Sequence, residues 1–212
     1  MKILITGAKG FVGKNLCAAL KNVQEGKDKT RGIDSNIEIF EFDIDTDKNL
    51  LPEYCKDADF VFNLAGVNRP ENPEDFMNGN FGFASELLNS LKAAGNTCPV
   101  MLSSSLQATL VGRYAEGEYG KSKKAGEDLL FSYSKETGAK VLVYRLPNVF
   151  GKWCRPNYNS AVATFCNNIA NDLPIQVNDR SVNMTLVYID DVVDELVRAL
   201  KGEENRDGDF CK

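Results

Sequence analysis

Tyr119 and Lys123 stand four residues apart in a stretch whose pattern predicts a helix, so both side chains are expected on one helix face. An ammonium group beside a phenol favours the phenolate and is expected to lower the tyrosine pKa from its usual value of about 10. Such a pair can donate or accept a proton at neutral pH. The same spacing also occurs on ordinary exposed helix faces, so its meaning depends on its position in the fold.

Three consecutive serines, Ser103, Ser104 and Ser105, follow apolar residues that predict a buried strand. Open α/β sheets bind ligands at the carboxyl ends of their strands, and a serine hydroxyl there can hydrogen-bond a substrate carbonyl. Along the chain a glycine-rich turn comes first, then the serines, then the Tyr–Lys pair. Together these features predict a site that reduces or oxidises a carbonyl-type substrate.

A glycine-rich turn joins the first predicted strand to the first predicted helix. Gly7, Gly10 and Gly13 have the spacing GxxGxxG, which allows a tight turn, close approach to a pyrophosphate and close packing of helix on sheet. The helix N-terminus supplies free amides and partial positive charge for phosphates. We therefore expect a bound dinucleotide, and a glycine-rich turn without a ligand is the alternative.

These residues leave open which nicotinamide dinucleotide binds. Asp43 ends the second predicted strand, where a carboxylate can bind the adenosine ribose hydroxyls and repel a 2′-phosphate. Asp45 could take that role instead, or Asp43 could be a solvated turn residue. Lys9, conversely, could neutralise a 2′-phosphate.

The composition excludes several classes of function. The 212-residue chain has no histidine and a net charge of −5, so it lacks imidazole catalysis and the basic surface typical of nucleic-acid or anionic-membrane binding. Its six cysteines contain no CxxC pair, so we expect neither a metal site nor a redox dithiol. No apolar run approaches a membrane span or a secretory signal, and we expect a cytoplasmic protein.

Alternating β-rich runs and helical patterns predict an α/β fold, a Rossmann-type doubly wound parallel sheet with a partial substrate-binding lobe. We assign residues 1–150 to the dinucleotide-binding domain and 151–212 to the start of the lobe, which looks truncated. Predicted strands are near 2–6, 37–42, 60–64, 100–103, 140–144, 175–177 and 184–188, with a further strand starting at 209. Predicted helices are near 11–23, 47–55, 80–94, 119–137, 161–171 and 190–200.

The chain resembles the extended short-chain dehydrogenase/reductase family of nucleotide-sugar enzymes, also called the NAD-dependent epimerase/dehydratase family. The motifs TGAKGFVG, NLAG, SSS, YGKSK and RLPNVFG match in order. The resemblance implies that Ser105 and Tyr119 are catalytic, with Tyr119 the general acid/base, and that Lys123 is its partner and holds the nicotinamide ribose. Asn80 matches a structural asparagine of the family. The cofactor-binding residues expected from the motifs and the resemblance are Gly7, Lys9, Gly10, Phe11, Val12, Gly13, Asp43, Leu64, Ala65, Gly66, Asn80, Ser103, Tyr119, Lys123 and Leu146.

A narrower resemblance rests on NLAGVNRPE, SSSLQAT, FGKWCRPNYNS, ATFCNNIA and IQVNDR. These segments are similar to the reductase domain of capsular-polysaccharide enzymes that make the UDP-N-acetyl-L-fucosamine precursor. The resemblance implies reduction of a 4-keto UDP-sugar with NADPH. Relatives of that kind continue into a metal-dependent cupin domain that epimerises C3, so we assign no epimerisation to this chain.

The substrate side of the predicted site carries fewer signals. Asn148 matches a substrate-side asparagine of the family. Many relatives have an arginine for the diphosphate where this chain has Met184, so we take Lys152, Arg155 and Arg180 as candidates for that charge.

We therefore expect an NAD(P)-dependent oxidoreductase that reduces a 4-keto UDP-sugar in capsular or surface polysaccharide synthesis, with NADPH preferred over NAD. One alternative is a nucleotide-sugar epimerase or dehydratase that retains NAD, and another is a non-catalytic NAD(P)-sensing module. The sequence fixes neither the sugar nor the product stereochemistry. It leaves the oligomeric state open, with a homodimer as one option.

Overall fold

The computed structural model describes residues 1–68 and 70–212, so Arg69 of the NLAGVNRPE motif lies outside the described residues. The strands are β1 (Lys2–Thr6), β2 (Glu38–Phe42), β3 (Phe60–Asn63), β4 (Val100–Ser105), β5 (Val141–Leu146), β6 (Asn148–Phe150), β7 (Leu186–Tyr188), β8 (Arg206–Asp207) and β9 (Phe210–Cys211). The helices are α1 (Phe11–Gln24), α2 (Leu50–Asp57), α3 (Glu74–Phe76), α4 (Phe83–Ala93), α5 (Glu118–Thr137), α6 (Ala161–Ala170) and α7 (Ile189–Leu200). A π-helical turn, Met77–Gly82, joins α3 to α4.

Seven strands form the main sheet in the order β2-β1-β3-β4-β5-β9-β8, and β6 pairs with β7 in a separate two-stranded ribbon. The main-sheet pairs are parallel except for the antiparallel pair of β8 and β9. From β1 the chain runs to β2 on one side and then crosses to β3 on the other. That reversal opens a crevice at the carboxyl ends of β1 and β3, where doubly wound sheets bind ligands.

The two faces of the sheet bury separate apolar cores, as the alternation along β1 illustrates. Ile3 and Ile5 belong to the core that packs against α1 and α7, whereas Leu4 belongs to the core that packs against α2, α4 and α5. All three side chains are fully buried. With both faces covered by helices, the sheet is the doubly wound Rossmann-type architecture that the sequence predicts.

Two predicted details of residues 147–188 are wrong. No strand forms at 175–177, where Ile175 and Val177 are exposed and the backbone has no neighbouring strand to pair with. Conversely, β6 forms directly after β5, and the prediction missed it. Its register, with Val149 opposite Val187, depends on a segment almost forty residues away.

The C-terminal part of the chain returns to the main sheet. Helix α7 buries an apolar face that includes Leu196 and Val197 against α1, and Cys211 of β9 pairs with Tyr144 of β5. Residues 189–211, which the sequence assigns to the lobe, thus contact the sheet body. Residues 151–188 contribute no strand to the main sheet. Within the described ranges, no helix is both long enough and apolar enough to cross a bilayer.

Candidate active site

A cleft of about 610 Å³ lies at the carboxyl ends of β1, β3, β4 and β5. It brings together the glycine turn, the serine run, the start of α5 and the segment that follows β5. The predicted site residues that line it are Gly7, Lys9, Gly10, Phe11, Val12, Gly13, Leu64, Gly66, Ser103, Ser105, Tyr119, Lys123, Leu146, Asn148 and Arg155.

The glycine turn is built so tightly that side chains would block it. Gly7 has a φ of +67°, and a Cβ there would lie 2.7 Å from the Ala65 nitrogen. A Cβ on Gly13 would lie 2.1 Å from the Gly7 carbonyl oxygen. Gly10 is the N-cap residue of helix α1 and offers no side-chain cap. The amides of its first turn therefore lack acceptors within the helix and lie at the cleft, which suits the phosphates of a dinucleotide.

The end of β2 is tied to this turn through Asp43. Its Oδ2 accepts a hydrogen bond of 2.7 Å from the backbone N–H of Lys9. The Lys9 ammonium pairs with Asp45, and both side chains are more than half exposed. The hydrogen bond between the Lys9 and Asp45 side chains raises the pKa of Lys9 and lowers the pKa of Asp45. Asp43 does not line the main cleft, but it holds the glycine turn in place.

The three serines of β4 do not share a direction. The Ser104 hydroxyl donates a 2.6 Å hydrogen bond to Glu127 inside the protein. All three serines line the cleft, but Ser103 and Ser105, which alternate with Ser104 along the strand, are less buried than Ser104. The Ser105 Oγ also accepts a hydrogen bond of 3.2 Å from the Gln107 N–H, which caps the turn after β4.

Gly120 brings α5 close to the end of β4, and sequence reasoning did not single it out. A Cβ at this position would lie 2.5 Å from the carbonyl oxygen of Gln107, in the turn that follows Ser105. A larger residue would therefore push the helix away from the serines. The glycine within the YGKSK motif was the available signal.

Tyr119 and Lys123 lie one turn apart on α5, as their spacing predicts. The Lys123 ammonium is 5.8 Å from the centre of the Tyr119 ring and donates a 3.1 Å hydrogen bond to the Ser103 carbonyl. Lys123 is almost completely buried. That burial lowers its pKa to about 8.

The expected lowering of the Tyr119 pKa is wrong for this structure. Burial raises the pKa of the phenol above its usual value, and a hydrogen bond with the Ser105 side chain opposes that shift without reversing it. Burial dominates because removing a phenolate from water costs more than nearby hydrogen bonding restores. Tyr119 is therefore protonated at neutral pH and is suited to donate a proton.

Asn80 does not line the cleft, but its side chain holds the loop that does. Its side-chain amide donates to the Val67 carbonyl and the Ser122 hydroxyl, and its Oδ1 accepts from the Val67 N–H. A Cβ on Gly66 would lie 2.6 Å from the Asn80 oxygen and 2.9 Å from the Lys123 ammonium nitrogen. Asn80 thus fixes the loop after β3 beside Lys123. Ala65 does not line the cleft either and packs against the glycine turn.

Of the four predicted substrate-side residues, the structure places two at the cleft. Asn148 lines it and donates a 3.3 Å hydrogen bond to the Thr185 carbonyl, and Arg155 lines it as well. Lys152 does not line it, because its ammonium pairs with Asp190 at 2.8 Å. Arg180 is exposed and does not line it.

Among the lining residues that sequence reasoning missed are Trp153, Tyr158 and Asn159. Their signal was the cluster of aromatic and amide side chains after RLPNVFG. Trp153 has a φ of +66°, an uncommon backbone conformation for a bulky residue.

Comparison with known proteins identifies relatives of the whole chain. A protein from Pseudomonas aeruginosa, "UDP-2-acetamido-2,6-beta-L-arabino-hexul-4-ose reductase", is 47% identical over 203 residues, which is 96% of this chain and 50% of the relative. The crystal structure of the capsular polysaccharide assembling protein CapF from Staphylococcus aureus superposes with a TM-score of 0.80 at 42% identity, covering 100% of this chain and 52% of that one. The chain thus spans about half the length of both relatives.

A more distant structure shares the fold. UDP-glucuronic acid 4-epimerase from Bacillus cereus, in complex with NAD, superposes with a TM-score of 0.76 at 23% identity, covering 95% of this chain and 73% of that one. Residues 3–210 match the NAD dependent epimerase/dehydratase family, which implies a bound NAD(P). Its cleft and its sequence together make this chain a member of the NAD dependent epimerase/dehydratase family.

Proposed function

We propose that the chain reduces the 4-keto group of a UDP-linked 2-acetamido sugar during synthesis of a capsular or surface polysaccharide. The observation that carries this proposal is the cleft in which Ser105, Tyr119 and Lys123 meet beside the glycine turn. The 47% identity to a relative named for that reductase activity, over 96% of this chain, supports the choice of substrate.

The side chains divide the work of carbonyl reduction between them. A nicotinamide dinucleotide held at the glycine turn would supply the hydride that reduces C4 of the sugar. Ser105 donates a hydrogen bond to the ketone oxygen, and the protonated Tyr119 transfers its proton to that oxygen as negative charge develops on it. Lys123, when charged, stabilises the phenolate that Tyr119 leaves behind. The product is an alcohol at C4, and the balance is one hydride and one proton.

For the cofactor we propose NADPH, with Lys9 as the partner of the 2′-phosphate. Lys9 is paired with Asp45 through exposed side chains, and exposed pairs contribute little stability, so the ammonium can exchange one anion for another. Titration of the chain with NADH and NADPH measures this preference. Asp45→Asn should favour NADPH further, whereas NADH binding more than about tenfold tighter, or about 1.4 kcal/mol, would contradict the proposal.

The state of the cysteines bears on the cellular compartment in which the proposed reaction takes place. All six cysteines are free thiols, and three of them, Cys17, Cys55 and Cys211, are buried. Free thiols in this number are typical of a reducing compartment. They support a cytoplasmic location, where nucleotide sugars are the expected substrates.

The test of the proposed function uses the 4-keto substrate named for the Pseudomonas relative and NADPH deuterated at the transferred position. We expect deuterium at C4 of the sugar, and we expect Tyr119→Phe to abolish most of the transfer. Absence of deuterium in the product would overturn the proposal. A tightly held NAD in the purified chain, with a UDP-sugar that carries a C4 hydroxyl epimerised at C4 without uptake of deuterium, would instead identify an epimerase. Cofactor binding without either reaction would identify a sensing module.

A further inference from the structure

Glu127 is a fully buried carboxylate that the cleft chemistry leaves without a role. It lies on α5, one turn beyond Lys123 and two turns beyond Tyr119, on the same side of the helix. Its Oε1 accepts hydrogen bonds from the Ser104 hydroxyl at 2.6 Å and from Arg145 Nε at 2.8 Å. Its Oε2 accepts from Arg145 Nη2 at 2.6 Å. The ion pair is therefore bidentate, which fixes both distance and angle.

The partners of Glu127 connect three strands. Ser104 of β4 and Arg145 of β5 stand opposite each other in the parallel register. The guanidinium carbon of Arg145 lies 3.7 Å from the centre of the Phe210 ring on β9. One carboxylate thus joins α5 to the ends of β4 and β5, and through Arg145 to β9.

Two consecutive residues of β4 are held by α5 immediately before Ser105. Lys123 donates to the carbonyl of Ser103, and Glu127 accepts from the hydroxyl of Ser104. These two contacts come from successive turns of the helix that carries Tyr119. The position of Ser105 relative to the phenol therefore depends on both contacts.

A buried ion pair is a poor way to gain stability alone, because its desolvation offsets much of its attraction, and apolar residues of similar volume often stabilise as well. Its geometric precision is the property that apolar packing does not supply. We infer that Glu127 is a positioning residue, which uses Ser104 and Arg145 to set the distance between the Ser105 hydroxyl and the Tyr119 phenol. Its importance for turnover rests on the proposed reductase function, whereas its effect on geometry does not.

The test compares Ser104→Ala, Glu127→Gln and the matched control Glu136→Gln in the full chain. Ser104→Ala removes one hydrogen bond and leaves the ion pair intact, so the fold is expected to persist even if Glu127→Gln, which leaves Arg145 without its counter-charge, unfolds. Glu136 lies on the same helix and pairs with Lys92 at the surface. Thermal unfolding first establishes which variants are folded.

The substrate-independent measurement is the ¹³Cζ resonance of Tyr119, assigned with Tyr119→Phe, which reports hydrogen bonding of the phenol. We expect it to move in Ser104→Ala and in folded Glu127→Gln, and to stay in place in Glu136→Gln. An unmoved resonance in folded Ser104→Ala would overturn the inference. If wild type lacks reductase activity, the proposed function fails, and this resonance still decides whether Glu127 positions the pair.

The kinetic measurement separates positioning from a merely structural role. A displacement of about 1 Å at a reacting group can cost up to about 10²-fold, so we expect kcat of Ser104→Ala to fall about tenfold, with KM and the NADPH dissociation constant unchanged. Reductase activity at the wild-type kcat, despite a moved Tyr119 resonance, would contradict the inference. A rise in KM alone would do so too.

Discussion

The two sides of the cleft are built on different amounts of packing. On the cofactor side, the glycine turn follows β1, whose Ile3, Leu4 and Ile5 are fully buried between two helical layers. On the substrate side, residues 151–188 leave large apolar side chains in solvent, such as Ile169 at 64% and Val177 at 53% exposure. None of the ten residues of α6, all of them described, is buried.

This difference in packing indicates which side of the cleft is preformed before a ligand binds. The hydrophobic effect stabilises the sheet body on both faces, so we expect the elements that hold the glycine turn, Ser105 and Tyr119 to unfold only with the whole domain. Residues 151–188 have few buried apolar contacts and are expected to open at low free-energy cost. We therefore expect the chain to bind the cofactor tightly and to keep its catalytic geometry fixed. We expect it to bind the sugar nucleotide weakly.

The largest expected effect comes from the proposed catalytic group on the well-packed side. Tyr119→Phe removes the proposed proton donor but keeps the ring, so the rate should fall by about 10²–10⁴-fold with little change in NADPH affinity. Tyr54→Phe, at a ring that stacks on Phe40 away from the cleft, is the matched control and should leave the rate unchanged. Rates are measured at saturating substrate with deuterated cofactor. A variant that keeps more than about a third of wild-type turnover, with hydride transfer rate-limiting, would remove Tyr119 from the mechanism.

A pair of identical truncations tests the packing difference directly. Leu20→Ala, at a fully buried position of α1, should lower the free energy of unfolding by about 2–5 kcal/mol because it leaves a cavity. Leu173→Ala, at a position that is 51% exposed, should change it by less than about 0.5 kcal/mol. Urea unfolding followed by circular dichroism measures both. Equal losses in the free energy of unfolding would mean that residues 151–188 are packed as tightly as the sheet body.

The buried ammonium group of Lys123 should affect the pH dependence of stability. Burial lowers the pKa of Lys123 from 10.5 to about 8, so between those values the unfolded chain binds more protons than the folded chain. The folded state therefore gains stability as pH rises through that window. Lys123→Met should raise the free energy of unfolding at pH 7, on the order of 1.4 kcal/mol for each unit of the shift, and the gain should disappear as the pH approaches 10.5. A gain that did not change with pH would show that Lys123 is not the titrating group.

The features that sequence predicted well depend on local spacing. The glycine turn follows from residues within a single turn of chain, and the shared face of Tyr119 and Lys123 follows from the helical period. The continuous apolar run Ile3, Leu4 and Ile5 is typical of a strand that is buried on both faces. Such patterns are legible because neighbours in sequence are also neighbours in space.

The features that sequence missed depend on distant partners. The pairing of Glu127 with Arg145 joins positions eighteen residues apart, and β6 forms only because β7 lies beside it. The direction of the Tyr119 pKa shift could not be read from its lysine neighbour, because burial raises this pKa and the opposing hydrogen bond comes from Ser105. Lys152 was a reasonable diphosphate partner by charge, but the fold gives it Asp190 instead.

The smallest expected effect concerns ligand affinity on the two sides of the cleft. NADPH meets a turn and helix terminus that are already formed, whereas a UDP-sugar must order a segment with exposed apolar side chains, which reduces its affinity. Calorimetry on the same sample should give a dissociation constant for UDP-N-acetylglucosamine at least about tenfold weaker than that for NADPH, a difference of about 1.4 kcal/mol. Saturation with NADPH should leave this order unchanged. A sub-micromolar dissociation constant for the UDP-sugar would mean that residues 151–188 already form a complete binding surface, and the contrast between the two sides of the cleft would not hold.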